Sequence, residues 1–174
     1  VEPPAFSAEI WFDADVENGI PENGYPNTGE VHSDMLYLHP LSNPSAFFLN
    51  DVGVVVLKPQ PHGKGPRCLS KPTHYTVSYP VLPELKQLDG LRQHDEFTAV
   101  GYGLQESNPV FVEAARVRMV AHPTLIQVNT PGFTGDFSLL LSNNHATGGT
   151  CFGDSGGPNF LGDSNVIAGV TSFG

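Results

Sequence analysis

Residues 153–158 read Gly153-Asp154-Ser155-Gly156-Gly157-Pro158. At ordinary residue frequencies that hexamer arises in about one chain of this length in a hundred thousand, so its composition asks for a chemical reason. A serine hydroxyl is a poor nucleophile until a base takes its proton, and the tetrahedral oxyanion it creates needs preorganised N–H donors. Glycines around a serine let the backbone turn tightly and aim its N–H groups at a substrate carbonyl. Ser155 is therefore the candidate nucleophile, in preference to an incidental serine on a glycine-rich surface turn. A second candidate is Asp51, which heads the apolar run Val52-Gly53-Val54-Val55-Val56-Leu57. A carboxylate in that setting needs hydrogen bonds if it is buried, and an imidazole would supply one.

The elements that must hold these residues read as β-structure. Apolar stretches of strand character recur at 10–12, 35–38, 52–57, 97–100, 115–120, 125–128, 137–141 and 166–172. Ala115, Val117 and Met119 alternate with Arg116 and Arg118, the period of two that marks a half-buried strand. Only Pro83 to Leu91 offers a helical turn. Nineteen glycines and 16 prolines scattered between short apolar runs favour an all-β chain full of turns over a helical bundle. The polar stretch from Pro59 to Thr76 reads as the start of a connection. It divides the chain into residues 1–88 and residues 89–174, and two antiparallel barrels are the natural architecture.

Charge and composition narrow the function classes. The 174 residues carry a formal net charge of -10, which repels phosphate backbones and argues against nucleic-acid binding. No apolar run is long enough to cross a bilayer. Two cysteines, Cys68 and Cys151, are too few for a disulfide scaffold and lack metal-ligand spacing. They can pair with each other, stay reduced, or have partners elsewhere. Asp13-Ala14-Asp15-Val16-Glu17-Asn18-Gly19 superficially looks like a calcium loop. An EF-hand needs Gly at its sixth position and Glu at its twelfth, where this chain has Asn18 and Gly24. A solvated acidic turn is the better reading, and no metal or cofactor is required.

Four motifs in order resemble the chymotrypsin/trypsin-like serine proteases, with a flavour of the bacterial secreted members around Cys151 to Pro158. Asp51 to Leu57 looks like the Asp-led strand of that family. Val100-Gly101-Tyr102-Gly103 looks like its Gly-Trp-Gly, with Tyr102 in the aromatic place. The serine hexamer comes third. Gly169-Val170-Thr171-Ser172-Phe173-Gly174 looks like its substrate-binding strand, with Phe173 in place of the usual Trp. The resemblance implies two six-stranded antiparallel β-barrels and a serine endopeptidase, secreted and monomeric, acting on proteins or peptides. It makes Ser155 the nucleophile, Asp51 the buried acceptor that orients a histidine, and the Gly153 and Ser155 N–H groups the oxyanion hole. Ser172 would help to hold the Asp51 carboxylate. Gly149, Thr150, Ser172, Phe173 and Gly174 would line the substrate pocket. Gly149 stands six residues before Ser155, at the family's pocket floor, so a neutral side chain is expected there instead of Arg or Lys. The resemblance also places Cys68 and Cys151 in different disulfide pairs.

The family's general base, in a Thr-Ala-x-His-Cys context well ahead of the acid, has no counterpart. Before Asp51 stand only His32 and His39, and His39-Pro40 matches a surface His-Pro of the family. His62, His74, His94, His122 and His145 follow Asp51 and break the family order. The expectation is a fragment of an enzyme, its first barrel truncated and the last strand and closing helix missing. The start is not the family's Ile-Val-Gly-Gly, so its activating ion pair is not assigned to Val1 and Asp154. The competing class is a chymotrypsin-fold binding module without catalysis. A triad lacking one member loses about 10⁴ to 10⁶-fold in kcat, so the 174-residue chain alone should not measurably hydrolyse a peptide ester or amide. Turnover abolished by Ser155→Ala would overturn that expectation.

Overall fold

The computed structural model describes residues 6–10, 14–16, 31–46, 48–57, 79–107, 112–113, 115–130 and 135–173. Several sequence expectations lie outside those residues. They are Trp11 and Phe12, most of the acidic turn from Asp13 to Gly24, the connection from Pro59 to Thr76 with His62, Cys68 and His74, and Gly174. The chain separates into two compact units, Val1–Tyr79 and Pro80–Gly174. Both are built from β-strands, and among the described residues the helical content is a single 3-10 turn at Pro44–Ala46. The all-β expectation holds.

In the first unit, β1 (Glu9–Ile10), β2 (Val31–Leu38) and β3 (Gly53–Leu57) form one antiparallel sheet in that order. The β2–β3 ladder runs from Ser33 opposite Leu57 to Leu38 opposite Gly53, with an irregularity between Ser33 and Met35. Ser33 is buried, and its hydroxyl accepts the Ala8 N–H at 2.8 Å. Asn50 turns the chain with a φ of 56°, in the left-handed region that asparagine tolerates better than most residues. Asp51 follows at once, and the Val52 carbonyl then accepts the His39 N–H at 2.9 Å.

The second unit holds β4 (Phe97–Gly101), β5 (Glu106–Ser107), β6 (Val112–Glu113), β7 (Met119–Ala121), β8 (Leu125–Thr130), β9 (Gly135–Leu141), β10 (Pro158–Leu161) and β11 (Ile167–Val170). A four-stranded sheet has the order β11-β10-β4-β7, beside the pairs β5-β6 and β8-β9. Alternation along β4 sets its inner face, with Phe97 and Ala99 buried and Thr98 and Val100 half-buried, as a pleated strand dictates. Phe97 is 0% and Leu125 1% exposed, and Ala99, Pro123 and Val166 complete this core. Their main chains are tied as well: the Phe97 N–H bonds Pro123 O and the Leu125 N–H bonds Asp95 O, both at 2.8 Å. Val81 forms a parallel bridge to Val166, which fastens the start of this unit beside β11.

Three expectations change in detail. The strand read over 115–120 is continuous only at Met119–Ala121; ahead of it Val117 makes a single bridge, and the Ala115 carbonyl accepts the Gln105 side-chain amide at 2.7 Å. At the edge of the sheet Met119 and Val120 are 52% and 57% exposed. The helical turn read over 83–91 is a succession of four-residue turns, Gln87 N–H to Glu84 O, Asp89 N–H to Lys86 O and Leu91 N–H to Leu88 O. Lys86, with φ 67°, breaks the helical path. The sequence reading missed β10, whose first residue is Pro158, a place where the missing N–H does no harm.

Burial predicts where substitution hurts. Truncating Phe97 to Ala should cost about 3–5 kcal/mol and Leu125 to Ala about 2–5 kcal/mol. Leu85→Ala, at a side chain 93% exposed, should stay within about 0.5 kcal/mol. Urea unfolding of the three variants checks this ordering.

Candidate active site

The serine hexamer folds as two consecutive tight turns, and its glycines fall where the turns need them. In the first, the Asp154 N–H bonds the Cys151 carbonyl at 3.0 Å, and Gly153 in third position has φ 96°. In the second, the Gly157 N–H bonds the Asp154 carbonyl at 2.8 Å, and Gly156 in third position has φ 85°. A positive φ at the third residue is what a type II turn demands, and glycine meets it without a steric penalty. The three-residue spacing of Gly153 and Gly156 is thus the repeat of the turn. Ser155 sits exposed between them. Among the described residues, the N–H groups of Gly153 and Ser155 donate to no protein acceptor.

Asp154 points the other way and fastens the loop. Its half-buried carboxylate accepts the Gly103 N–H at Oδ1 (2.7 Å) and the Cys151 N–H at Oδ2 (2.8 Å). The second bond closes the 151–154 turn reciprocally, and the first ties the loop to the segment after β4. Leu104 adds a main-chain tie, its N–H bonding the Phe152 carbonyl at 2.9 Å. The carboxylate lies where side chains of residues 101 and 103 would stand. A Cβ on Gly101 would collide with Asp154 Oδ1, and one on Gly103 would come within 2.6 Å of Cγ and 2.7 Å of both oxygens. The two glycines flanking Tyr102 are therefore the space that the Asp154 carboxylate occupies. The sequence held that signal in the Gly-x-Gly pattern, but not its partner.

β11 runs into the loop from the other side. The Gly156 N–H bonds the Thr171 carbonyl at 2.8 Å, and the Thr171 N–H bonds the Gly157 carbonyl at 2.9 Å. This brings the Ser172 carbonyl to Ser155, whose hydroxyl it accepts at 3.4 Å. Phe152 and Phe173 are 75% and 44% exposed. Gly149 and Thr150 are half-buried, and residue 143 governs them. A Cβ on Gly149 would meet Asn143 Cγ and Oδ1 at 2.7 Å and its Cα at 2.8 Å, while the Asn143 amide donates to the Thr150 carbonyl at 3.0 Å. Asn143 was missed in the sequence. It explains why position 149 holds glycine.

A cavity of about 660 Å³ opens beside these residues, lined among others by Gly101, Gly103, Gln105, Asn143, Gly149 and Asp154. Ser155, Ser172 and Phe173 are not part of its wall, so it lies on the Asp154 side of the loop. Cys151 is a half-buried free thiol. Asp51 belongs to the first unit and is exposed there. His39 is exposed, its Nδ1 accepting the Leu41 N–H at 3.2 Å. His94, His122 and His145 are exposed positions of the second unit.

The collision geometry gives a double-mutant test. Gly103→Ala should lose about 1–3 kcal/mol through overpacking, and much less in an Asp154→Ala background, where the clashing group is gone. The coupling in urea unfolding should lie in the range of about 0.5–3 kcal/mol seen for residues in contact. Additive losses would contradict the packing described.

Comparison with known proteins agrees with this loop. The trypsin family model, described as Trypsin, matches residues 14–174. A curated protein named collagenase, from Hypoderma lineatum, is 27% identical over 151 residues, covering 86% of this chain and 52% of the relative. A solved structure of HL collagenase superposes with a TM-score of 0.62 at 24% identity, covering 85% of this chain and 60% of that one. The chain thus spans about half the length of the curated relative it matches. A family match that runs through the Asp51 strand, the Gly-x-Gly segment and the serine loop places this chain in the trypsin family.

Proposed function

We propose that the intact protein is a serine endopeptidase that cleaves peptide bonds by acyl transfer, secreted and acting as a monomer. The observation that carries the reading is the serine loop itself. Two glycine-dependent turns leave Ser155 exposed, with its own N–H and that of Gly153 unclaimed, while Asp154 anchors the loop from behind. N–H groups without internal partners are what an oxyanion requires of its binding site. In the mechanism, Ser155 Oγ attacks the scissile carbonyl as a base takes its proton. The two N–H groups receive the charge that develops on the carbonyl oxygen. The intermediate collapses as the C–N bond breaks and the base hands its proton to the departing amine. Water then attacks the acyl-enzyme, its proton passing through the base to Ser155 Oγ as the acid leaves. Asp51 orients the imidazole that acts as base, and the two six-stranded barrels with their boundary near residues 88 and 89 belong to the same reading.

Gly149, Thr150, Ser172, Phe173 and Gly174 line the pocket for the substrate side chain in this proposal. The packing of Asn143 over Gly149 supports a neutral preference, since residue 149 has no room for a side chain and hence for a carboxylate. Peptide amides that differ only in the residue before the scissile bond should be cleaved better with a neutral residue than with Arg or Lys. Ser155→Ala should reduce kcat by about 10⁶-fold with the fold intact by circular dichroism. Hydrolysis that survives this substitution would overturn the proposal. So would an intact protein that binds peptides without cleaving them, the outcome the binding-module reading expects.

A further inference from the structure

Asn159 is out of place for the stability of its strand. It lies in β10, four residues after Ser155, and is 5% exposed. On the inner face of the sheet it stands between Ala99 of β4 and Gly169 of β11. An aliphatic side chain suits such a site. The amide is only half satisfied: Nδ2 donates to Thr171 Oγ1 at 3.0 Å, while Oδ1 is buried with no partner among the described residues. A buried acceptor without a donor is destabilising, and local rules are broken most often where function demands it.

Thr171 shows what the amide secures. Its N–H and carbonyl are both bonded to the nucleophile loop, at Gly157 and Gly156. The next residue is Ser172, whose carbonyl accepts the Ser155 hydroxyl. Yet the β10–β11 ladder is irregular just here. Asn159 pairs with Gly169 but Phe160 pairs with Ile167, so the register shifts between them. The shift ends at Asn159: the Asn159–Gly169 and Pro158–Val170 pairs are in register and lead on to Thr171, and these two pairs are the whole of the regular β10–β11 ladder between the irregularity and the loop. The Asn159 amide adds a third hold on Thr171, from inside the sheet.

We propose that Asn159 is a positioning residue for Ser155, acting through Thr171 to fix where the Ser172 carbonyl meets the nucleophile hydroxyl. The catalytic part of this role rests on the reading of Ser155 as nucleophile, whereas the structural part does not. Asn159→Leu keeps the branching and removes the amide; Thr171→Val removes the acceptor; Thr171→Ser keeps it. Amide hydrogen exchange by NMR is read at Gly156 and Thr171, with Phe97 and Leu125 as core references, together with Tm. In Asn159→Leu and Thr171→Val, protection at Gly156 and Thr171 should fall about tenfold or more while the core amides hold. Tm of Asn159→Leu should equal or exceed that of the parent. Thr171→Ser should keep the parental protection. In peptide hydrolysis, Asn159→Leu should lower kcat about tenfold with KM changed less than about twofold. The proposal is overturned if protection at the two loop amides stays within about twofold of the parent. It is equally overturned if that protection is lost only together with the core amides and Tm, which would mark Asn159 as merely structural. Because exchange is read without turnover, an intact protein that fails to hydrolyse peptides counts against the catalytic reading of Ser155 and not against the hold on Thr171.

Discussion

The Asp154 carboxylate is the contact on which the arrangement around Ser155 depends. It gathers two main-chain donors, Gly103 N–H and Cys151 N–H, from segments about fifty residues apart. Hydrogen bonds to a charged acceptor are worth about 1.5–3 kcal/mol each. The glycines that make room for it at 101 and 103 give up roughly 0.5–1 kcal/mol apiece in chain entropy relative to alanine. The carboxylate therefore gains more than the glycines lose. Since Asp154 is also the last residue of the first tight turn and the first of the second, holding its side chain fixes the direction in which both turns leave it.

Everything on the opposite side of the loop follows from that orientation. With Asp154 turned toward Gly103, the Ser155 hydroxyl faces Ser172, and the main chain of residues 156 and 157 is free to pair with Thr171. The loop is thus held between a charged anchor behind and a strand in front. The strand side is the less regular of the two, since the ladder shifts register before it reaches the loop. The buried Asn159 amide, donating to Thr171 Oγ1, adds a side-chain hold to the two main-chain bonds of Thr171.

Much of this was legible in the sequence because it depends on local backbone demands. The hexamer announced its turns through glycine spacing, and the order of Asp51, Gly101-Tyr102-Gly103, Ser155 and Gly169 to Gly174 pointed to the family. Strands with strong alternation or continuous apolar character, such as β3, β4 and β8, lay where the residues placed them. Contacts between side chains distant in sequence were not legible. Nothing in the pattern says that Gly103 makes room for Asp154, or that Asn143 fills the space above Gly149. Asn159 was not legible either, because β10 itself was not read as a strand. The alternation of 115–119 misled because an edge segment held by the Gln105 side chain shows the same period as a paired strand.

The most direct measurement of the central contact is amide hydrogen exchange at Gly103 and Cys151, compared between the parent and Asp154→Ala. If both N–H groups donate to the Asp154 carboxylate, both amides are protected in the parent and lose protection together in the variant, while Phe97 and Leu125 stay protected. If either amide keeps its protection in Asp154→Ala, the loop is not organised by this carboxylate.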